Sequence, residues 1–363
     1  MPNQESYCGI TLQNIGNYYV KNIYEYIGLP ICLVGLVFNL LNILVFTRKA
    51  MISSSNFIFA HLAFVDFLVL LASVPHFWLT YIQPKSGFSV ELSYGWTIYY
   101  THGDNFIITF QFISAFLTVQ LAAWRYIAVV YPFKERHWCN RKITRNVVIA
   151  GYLTCCGLFT IPKYLSFEIE AVNKNENTVA SFKRNIIIFT AGEIINGLVV
   201  RLLPSVVLAA LTSRIVATLL ARKTHQEKST TAEPPSASNI RTNMKNAKIR
   251  QQQTNKSTAI LLTVVTLFFT SEFPKGLLVI LRLMYEDLPA PCYSSLIAIF
   301  VTLSNINISI TFMVYYMLGQ QFRIAFKSLF NCNVDNTVSH QKQTTLNALS
   351  NKHTSKSSVL QRY

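Results

Sequence analysis

Ionisable side chains stand in the middle of long apolar stretches of this sequence, where charge is rare. They are Asp66, Arg201, Glu272 and Lys275. A charged group inside hydrocarbon costs about 3 kcal/mol on insertion scales, so such residues pair with one another, bind an ion or serve a function. Glu272 and Lys275 are three residues apart, which puts them on one face of a helix. The sequence therefore predicts either an internal ion pair or a counter-ion, Glu272, that responds to a ligand.

Acidic side chains also lie toward one end of these stretches, in Asp104, Glu193, Glu168, Glu170, Glu286 and Asp287. A buried carboxylate binds a guanidinium group through two parallel hydrogen bonds. Asp104 and Glu193 are the preferred candidates for binding a cationic ligand, because both fall inside apolar stretches. Each is alternatively a solvated charge at the edge of a loop.

Aromatic side chains near these carboxylates are candidates for the apolar wall that a ligand site requires. Those chosen are Trp96, Phe106 and Phe110, and Glu272 and Lys275 complete the candidate set. The alternative for the aromatic residues is packing or anchoring at a membrane interface.

Catalytic signatures are missing from the sequence. It has no His-Glu-x-x-His motif, no Gly-x-Ser-x-Gly motif and no pair of acids placed for catalysis inside an apolar stretch. We therefore predict that the chain is not an enzyme and needs no organic cofactor.

The elements that carry these residues are predicted to be membrane-spanning helices. The chain has 363 residues, of which 51% are hydrophobic and 13% are charged, against about 25% charged in soluble domains. A bilayer core is crossed by roughly 20 apolar residues in a helix, and seven runs qualify: Ile27–Thr47, Asn56–Tyr81, Ile98–Val130, Ile143–Leu165, Ile187–Leu220, Ser257–Met284 and Tyr293–Met317. They lack the two-residue alternation of barrel strands, so we predict an all-α membrane protein, a seven-helix bundle.

The positive charge is distributed unevenly along the chain, whose net charge is +16. Most lysines and arginines fall in alternate connections and in the C-terminal tail, which predicts an extracellular N-terminus and a cytoplasmic C-terminus. The basic segments are then expected to contact anionic membrane lipid and protein partners. Nucleic acid is not an expected partner.

The chain is expected to divide into four parts. Residues 1–26 form an extracellular tail, 27–317 the bundle, 318–332 a short amphipathic eighth helix and 333–363 a disordered cytoplasmic tail. Cys332 directly follows the amphipathic segment and is either palmitoylated or an unmodified cytoplasmic thiol.

Several motifs resemble those of the rhodopsin-like, class A G-protein-coupled receptors. Leu62-Ala63 with Asp66 is similar to that family's second-helix motif, and Trp124-Arg125-Tyr126 is similar to its third-helix Asp-Arg-Tyr. Prolines stand at the family positions in the fourth, fifth and sixth helices, namely Pro162, Pro204 and Pro274. The departures, Trp124 and Glu272 among them, resemble the invertebrate myosuppressin and FMRFamide-like peptide receptors and their sex-peptide receptor relatives.

That resemblance implies a receptor in the plasma membrane. Its expected ligand is an extracellular neuropeptide, an amidated FMRFamide-like or myosuppressin-like peptide, and its expected partners are a heterotrimeric G protein and arrestin. The residues that match the family's G-protein contacts are Arg125, Tyr126 and Tyr315. The residues that match its sodium site are Asp66, Ser114 and Asn307; alternatively, Asp66 is protonated or hydrogen-bonded inside the bundle.

The cysteines depart from the family pattern. Tyr100 stands at the third-helix position of the family disulfide, and residues 163–185 contain no cysteine. Cys8 and Cys292 are both expected to face the oxidising side, so we predict that they form a disulfide. Two free thiols are the alternative.

A transporter or channel is the alternative function, because ionisable groups inside membrane spans also mark substrate paths. Against it, the sequence shows no inverted repeats and no matching interrupted helices.

Overall fold

The computed structural model describes residues 24–81, 94–165, 167–174, 177–230, 238–285 and 290–330. The predicted seven-helix bundle is confirmed. The single-helix spans are the first, Glu25–Phe46; the second, Ser54–Tyr81; the third, Tyr94–Val130; the sixth, Ser238–Met284; and the seventh, Ala290–Leu318. The fourth span comprises Arg141–Cys155, Cys156–Thr160 and Ile161–Leu165, and the fifth comprises Ile186–Ile195, Asn196–Leu202 and Leu203–Thr230.

Three short helices lie outside the spans in the described part of the chain. A one-turn helix, Lys49–Met51, follows the first span, and a loop helix, Pro132–Trp138, joins the third span to the fourth. A surface helix, Gln320–Phe330, follows the seventh span.

Six of the seven spans are long and apolar enough to cross a membrane within the described residues, and the fourth span is the exception. Large apolar side chains are exposed along the outside of the bundle. On the first span these are Leu33, Val37, Leu40 and Leu44, each between 45% and 56% exposed. Their spacing of three or four residues makes one stripe along the helix. An apolar stripe of this kind is suited to hydrocarbon rather than to water.

In the described residues, two spans contain a π-helical segment, in which backbone hydrogen bonds join residues five positions apart instead of four. These segments are Cys156–Thr160 in the fourth span and Asn196–Leu202 in the fifth. Such bulges are rare and often occur at functional sites. The second of them carries Arg201, one of the charged residues inside the bundle.

The connection between the fourth and fifth spans is a β-hairpin, which the all-α expectation did not include. Strand β1, Phe167–Lys174, pairs antiparallel with β2, Asn177–Arg184, and Phe167 stands opposite Arg184. Phe167, Ile169 and Ala171 alternate with Glu168 and Glu170, and alternation of apolar with polar residues is the pattern of a strand. The hairpin carries Glu168 and Glu170, two of the predicted acidic candidates.

An aromatic cluster fastens the surface helix to one end of the bundle, which we call the inner end; the opposite end, which carries the hairpin between the fourth and fifth spans, is called the outer end. Phe322 is buried, and its ring centre lies 5.2 Å from that of Phe46, 5.7 Å from that of Phe312 and 5.9 Å from that of Tyr315. Phe330, at the end of the surface helix, is 71% exposed, and its ring centre lies 5.2 Å from that of Phe326. The surface helix is thus anchored in the bundle through Phe322, and its last turn leaves an aromatic side chain available to the membrane interface.

Several predicted features lie outside the described residues. These are Cys8, Cys332, the two chain ends and the side chains of Trp96 and Cys292. The disulfide between Cys8 and Cys292 and the palmitoylation of Cys332 therefore stay predictions.

The third and fourth spans pack closely at Gly151. A Cβ atom placed there would lie 2.0 Å from the Phe116 ring. We expect Gly151→Ala to lower the free energy of unfolding by about 1–3 kcal/mol, because a methyl group would force these helices apart. Thermal unfolding of the purified protein in detergent measures this loss.

Gly157, also in the fourth span, is the matched control. A Cβ atom there meets nothing within 4 Å, so Gly157→Ala should leave the unfolding temperature unchanged. If both variants unfold alike, the close packing at Gly151 is not what stabilises this contact.

Candidate functional site

A network of charged and polar side chains joins four spans in the middle of the bundle. Glu272, on the sixth span, forms an ion pair through its Oε2 atom with Arg201 of the fifth. Its Oε1 atom accepts from Lys275 Nζ at 2.9 Å and from Ser304 Oγ of the seventh span at 2.6 Å. Arg201 also donates through Nη2 to Gln111 Oε1 of the third span, at 3.2 Å. We call these five residues the central network.

The central network is buried and carries a net positive charge. The side chains of Lys275, Arg201 and Glu272 are 1%, 7% and 11% exposed. Two cations share one carboxylate, and the buried Arg201 Nε atom has no hydrogen-bond partner within the described part of the chain. Charges removed from water are tolerated only when they are paired and hydrogen-bonded. Glu272 is therefore the group that keeps both cations stable inside the bundle.

The backbone is irregular where the central network is built. Pro274 lies inside the sixth span between Glu272 and Lys275, and it cannot donate the usual helix hydrogen bond. Arg201 lies in the π-helical segment of the fifth span. Prolines and π-bulges are the common positions of helix kinks. The ion pair thus connects the two points at which the fifth and sixth spans can bend most easily.

Glu193 does not stand free at the outer end of the bundle. It forms an ion pair with Lys163 of the fourth span, whose side chain is 4% exposed. Lys163 Nζ also lies 4.8 Å from the centre of the Phe189 ring. Gly192 leaves room for this lysine, because a Cβ atom there would be 3.2 Å from Lys163 Cε. The protein itself thus supplies the cation for this carboxylate.

Asp104 is the more accessible of the two preferred carboxylates. Its side chain is 53% exposed, and its Oδ1 atom lies 3.9 Å from His76 Nδ1 of the second span. Two turns further into the bundle on the same helix is Gln111 of the central network, about 10 Å along the axis. The rings of Phe106 and Phe110 lie between them in sequence, with their centres 4.3 Å apart. The third span therefore carries a carboxylate, aromatic rings and the central network in succession.

Asp66 faces a small cavity next to the central network. Ser114 Oγ donates to Asp66 Oδ1 at 2.8 Å. These two residues line a cavity of about 40 Å³ together with Asn307, Glu272 and Ser304. Such a volume has room for a small ion or a few waters, and its carboxylate, hydroxyl and amide oxygens are the ligands that a hard cation prefers. The three predicted sodium ligands are therefore brought together and fit that ion.

The inner end of the bundle opens into a cavity of about 900 Å³. Arg125 and Tyr315 both line it, and so does Glu135 of the loop helix. Tyr126 is not among its lining residues, and its ring centre lies 6.2 Å from that of Tyr131. Two of the three predicted coupling residues therefore face one concave surface.

Trp124, which replaces the acidic residue expected beside Arg125, ties the third span to the fourth. Its Nε1 atom donates to Thr144 Oγ1 at 2.9 Å. Close by, Arg222 of the fifth span donates to the Val129 carbonyl oxygen at 2.5 Å. The inner end of the third span is thus held by one neutral hydrogen bond to the fourth span and by a guanidinium group bound to its backbone.

Sequence reasoning missed several members of these sites. Gln111, Ser304 and Thr144 are polar residues of a common kind, and their partners are between 20 and 90 residues away. Lys163 had a usable signal, since it is a cation that directly follows Pro162 in an apolar run.

Seven helices, a charged centre and an open inner cavity define a membrane receptor of the G-protein-coupled class. Residues 26–333 match the model of the family described as "Serpentine type 7TM GPCR chemoreceptor Srw". The chain belongs to that family. The predicted receptor class is confirmed, and the chain is a multi-pass membrane receptor rather than an enzyme or, as the alternative had it, a transporter.

Three relatives carry more specific names. The sex peptide receptor of Drosophila melanogaster is 24% identical over 334 residues, which cover 86% of this chain and 73% of that protein. The G-protein coupled receptor dmsr-1 of Caenorhabditis elegans is 21% identical over 360 residues, covering 87% and 69%. The FMRFamide peptide receptor frpr-18 of C. elegans is 29% identical over 123 residues, covering 33% and 28%. The predicted resemblance to receptors of this kind is confirmed.

The central network predicts a large stability effect at Glu272. We expect Glu272→Gln to lower the free energy of unfolding by about 3–5 kcal/mol, because it leaves the Arg201 and Lys275 cations buried without a counter-charge. Adding Lys275→Met removes one of those cations and should restore part of the loss. Thermal unfolding in detergent measures both variants.

Additive losses in the double variant would contradict this interpretation of the network. Arg214→Gln is a suitable control, since Arg214 is an exposed cation on the fifth span and its loss should leave stability unchanged.

Proposed function

We propose that this receptor lies in the plasma membrane with its N-terminus outside and binds a cationic extracellular peptide. The peptide class we favour is the amidated FMRFamide-like or myosuppressin-like class, because relatives are named for an FMRFamide peptide and for a sex peptide. Binding activates a heterotrimeric G protein at the inner cavity. The observation that carries the ligand assignment is the exposed Asp104 carboxylate at the outer end of the third span.

The charge distribution supports the orientation. Arg125, Arg222 and the surface helix are at the end of the bundle that also holds most of the cationic connections. Lysine and arginine are retained on the cytoplasmic side of spanning proteins. Asp104, Glu193 and the hairpin are consequently on the outside.

Asp104 is the favoured partner of a ligand cation. Glu193 already has an internal cation in Lys163, so a ligand would have to displace that pair. Asp104 is more accessible, because its side chain is 53% exposed and its described contact with His76 Nδ1 is long, at 3.9 Å. An arginine of the peptide can form charge-assisted hydrogen bonds with it.

The central network is the proposed switch between the outer and inner sites. It joins the third, fifth, sixth and seventh spans at the π-bulge and at Pro274. A ligand that binds more tightly to an arrangement with Glu272 and Arg201 apart shifts the population toward that arrangement. The sixth span would then move relative to the third, and the inner cavity would widen around Arg125.

The inner cavity is the proposed docking site of the G protein, with Arg125 and Tyr315 on its wall. Arrestin is a second expected partner of the same surface. Sodium is proposed to bind beside Asp66, Ser114 and Asn307; when bound, it would supply a positive charge next to the Asp66 carboxylate.

Nucleotide exchange tests the proposed activity directly. The purified receptor in nanodiscs is mixed with a heterotrimeric G protein and a panel of amidated peptides, and exchange of GDP for a labelled GTP analogue is followed. At least one arginine-containing peptide should accelerate exchange. Failure of every amidated peptide, together with activation by a neutral or acidic ligand, would contradict the ligand class.

Asp104→Asn gives the sharper test of the binding site. We expect the potency of the active arginine peptide to fall roughly 10- to 100-fold, the effect of losing a charge-assisted hydrogen bond. The same peptide with citrulline in place of arginine should be equally weak on both receptors. A similar loss for both peptides would assign Asp104 a structural role only.

Glu272→Gln tests the switch in the same assay. Breaking the Arg201 ion pair should raise exchange in the absence of peptide and alter agonist potency. Ser304→Ala removes one hydrogen bond to Glu272 and keeps the charges, so it should shift both quantities in the same direction but less. Unchanged signalling in both variants rejects the switch role.

A further inference from the structure

A basic and aromatic patch covers the outside of the fourth span at its inner end. It consists of Lys134 and Trp138 on the loop helix and Lys142 and Arg145 on the fourth span, and we call it the inner basic patch. All four side chains are exposed. We propose that the inner basic patch binds the phosphate headgroup of an anionic phospholipid of the cytoplasmic leaflet. The proposal rests on the orientation given above but not on the peptide ligand.

The fourth span begins with an unusual concentration of positive charge. Asn140 caps it, since Asn140 Oδ1 accepts from the Ile143 backbone N–H at 2.9 Å. The following residues include Arg141, Lys142 and Arg145, and the first turn has no acidic residue. A helix N-terminus itself carries about half a positive charge, so cations there are unfavourable. Because the first turn has no acidic residue, an anion outside the protein can neutralise the charge of these cations.

The position of the patch along the helix matches the depth of lipid headgroups. Lys142, Arg145, Ile149 and Leu153 follow one another at spacings of three and four residues, so they lie on one side of the fourth span. Ile149 is 51% exposed and Leu153 is 71% exposed, as expected for side chains that face hydrocarbon. Arg145 is one turn, about 6 Å, further toward the cytoplasm than Ile149. Its guanidinium group is therefore placed beside the headgroups.

The loop helix adds a held cation and an interface anchor. Lys134 Nζ lies 5.0 Å from the centre of the Trp138 ring and 5.5 Å from that of Tyr131. Contact with two aromatic rings limits the positions of this ammonium group. Trp138 is 45% exposed, and tryptophan is enriched at membrane interfaces.

The patch is separate from the surface proposed for the G protein. None of its four members is among the residues that line the inner cavity. Arg141, the remaining cation of the turn, is 5.9 Å from the centre of the Phe57 ring of the second span and so belongs to the side facing the bundle. Continuity with the exposed apolar stripe of Ile149 and Leu153 favours a lipid over a protein partner.

Native mass spectrometry of the full-length receptor in detergent tests the proposal. Phosphatidylinositol 4,5-bisphosphate is titrated in, phosphatidylcholine serves as the neutral lipid, and receptors carrying a bound lipid are counted. Each cation contributes about fivefold to binding an anionic surface, so Lys142→Gln with Arg145→Gln should weaken phosphoinositide binding roughly 25-fold. Binding of phosphatidylcholine should not change.

Two controls make the result specific. The pair Lys49→Gln and Arg214→Gln removes the same charge from other exposed positions at the inner end and should leave binding unchanged. The swap Lys142→Arg with Arg145→Lys keeps the charge and should retain binding. Unfolding temperatures of all variants establish that each is folded.

Four results would overturn the assignment. Equal weakening by both neutralised pairs means a diffuse response to charge, and no weakening by Lys142→Gln with Arg145→Gln means that the patch is not the site. Binding of soluble inositol trisphosphate as tight as that of the lipid means that a free phosphate, not a membrane lipid, is the ligand. If Lys142→Gln with Arg145→Gln lowers nucleotide exchange in pure phosphatidylcholine nanodiscs while its phosphoinositide binding is intact, the surface belongs to the G protein.

Discussion

One carboxylate inside the bundle compensates two cations, and the arrangement of four spans depends on it. Glu272 contacts Arg201, Lys275 and Ser304, and Arg201 extends the contacts to Gln111. In a medium of low dielectric constant, separating such charges is far more unfavourable than in water. The third, fifth, sixth and seventh spans therefore have few arrangements that keep every charge paired. Few arrangements, well separated in energy, are what a molecule with distinct inactive and active states requires.

The backbone of the fifth and sixth spans has two irregular points at which these helices can bend. The π-helical segment at Asn196–Leu202 and the kink site at Pro274 lie beside the ion pair, so in the proposed switch a change in pairing would be transmitted to the long inner halves of these helices. The inner end of the third span is held by other contacts. Trp124 has a neutral hydrogen bond to Thr144 in place of an acid-base contact with Arg125. In the proposed switch, the ion pair of Glu272 with Arg201 is the restraint that a ligand would release.

The sequence predicts the spans well, because a lack of charge over 20 residues has one common cause. It also predicts the contact of Glu272 with Lys275, which spacing on one helix determines. The partners on other helices, Arg201 and Ser304, follow only once the spans are packed. Lys163 neutralises Glu193, and no local pattern connects residues 30 positions apart. In the hairpin, apolar residues alternate with acidic ones, but this short pattern stands in a chain whose other segments are long apolar runs that predict helices.

Gly192 gives the outer end of the receptor a property that a comparison of charged residues would not reveal. The methylene chain of Lys163 runs across the space where a side chain at position 192 would begin. An alanine there requires the lysine chain to shift by only a few tenths of an ångström, whereas a bulky side chain would displace it from Glu193. The seam between the fourth and fifth spans would then change from neutral to acidic although no charged residue had been gained or lost. Receptors of this kind can in this way diverge in the polarity of the ligand they accept through one small, uncharged position.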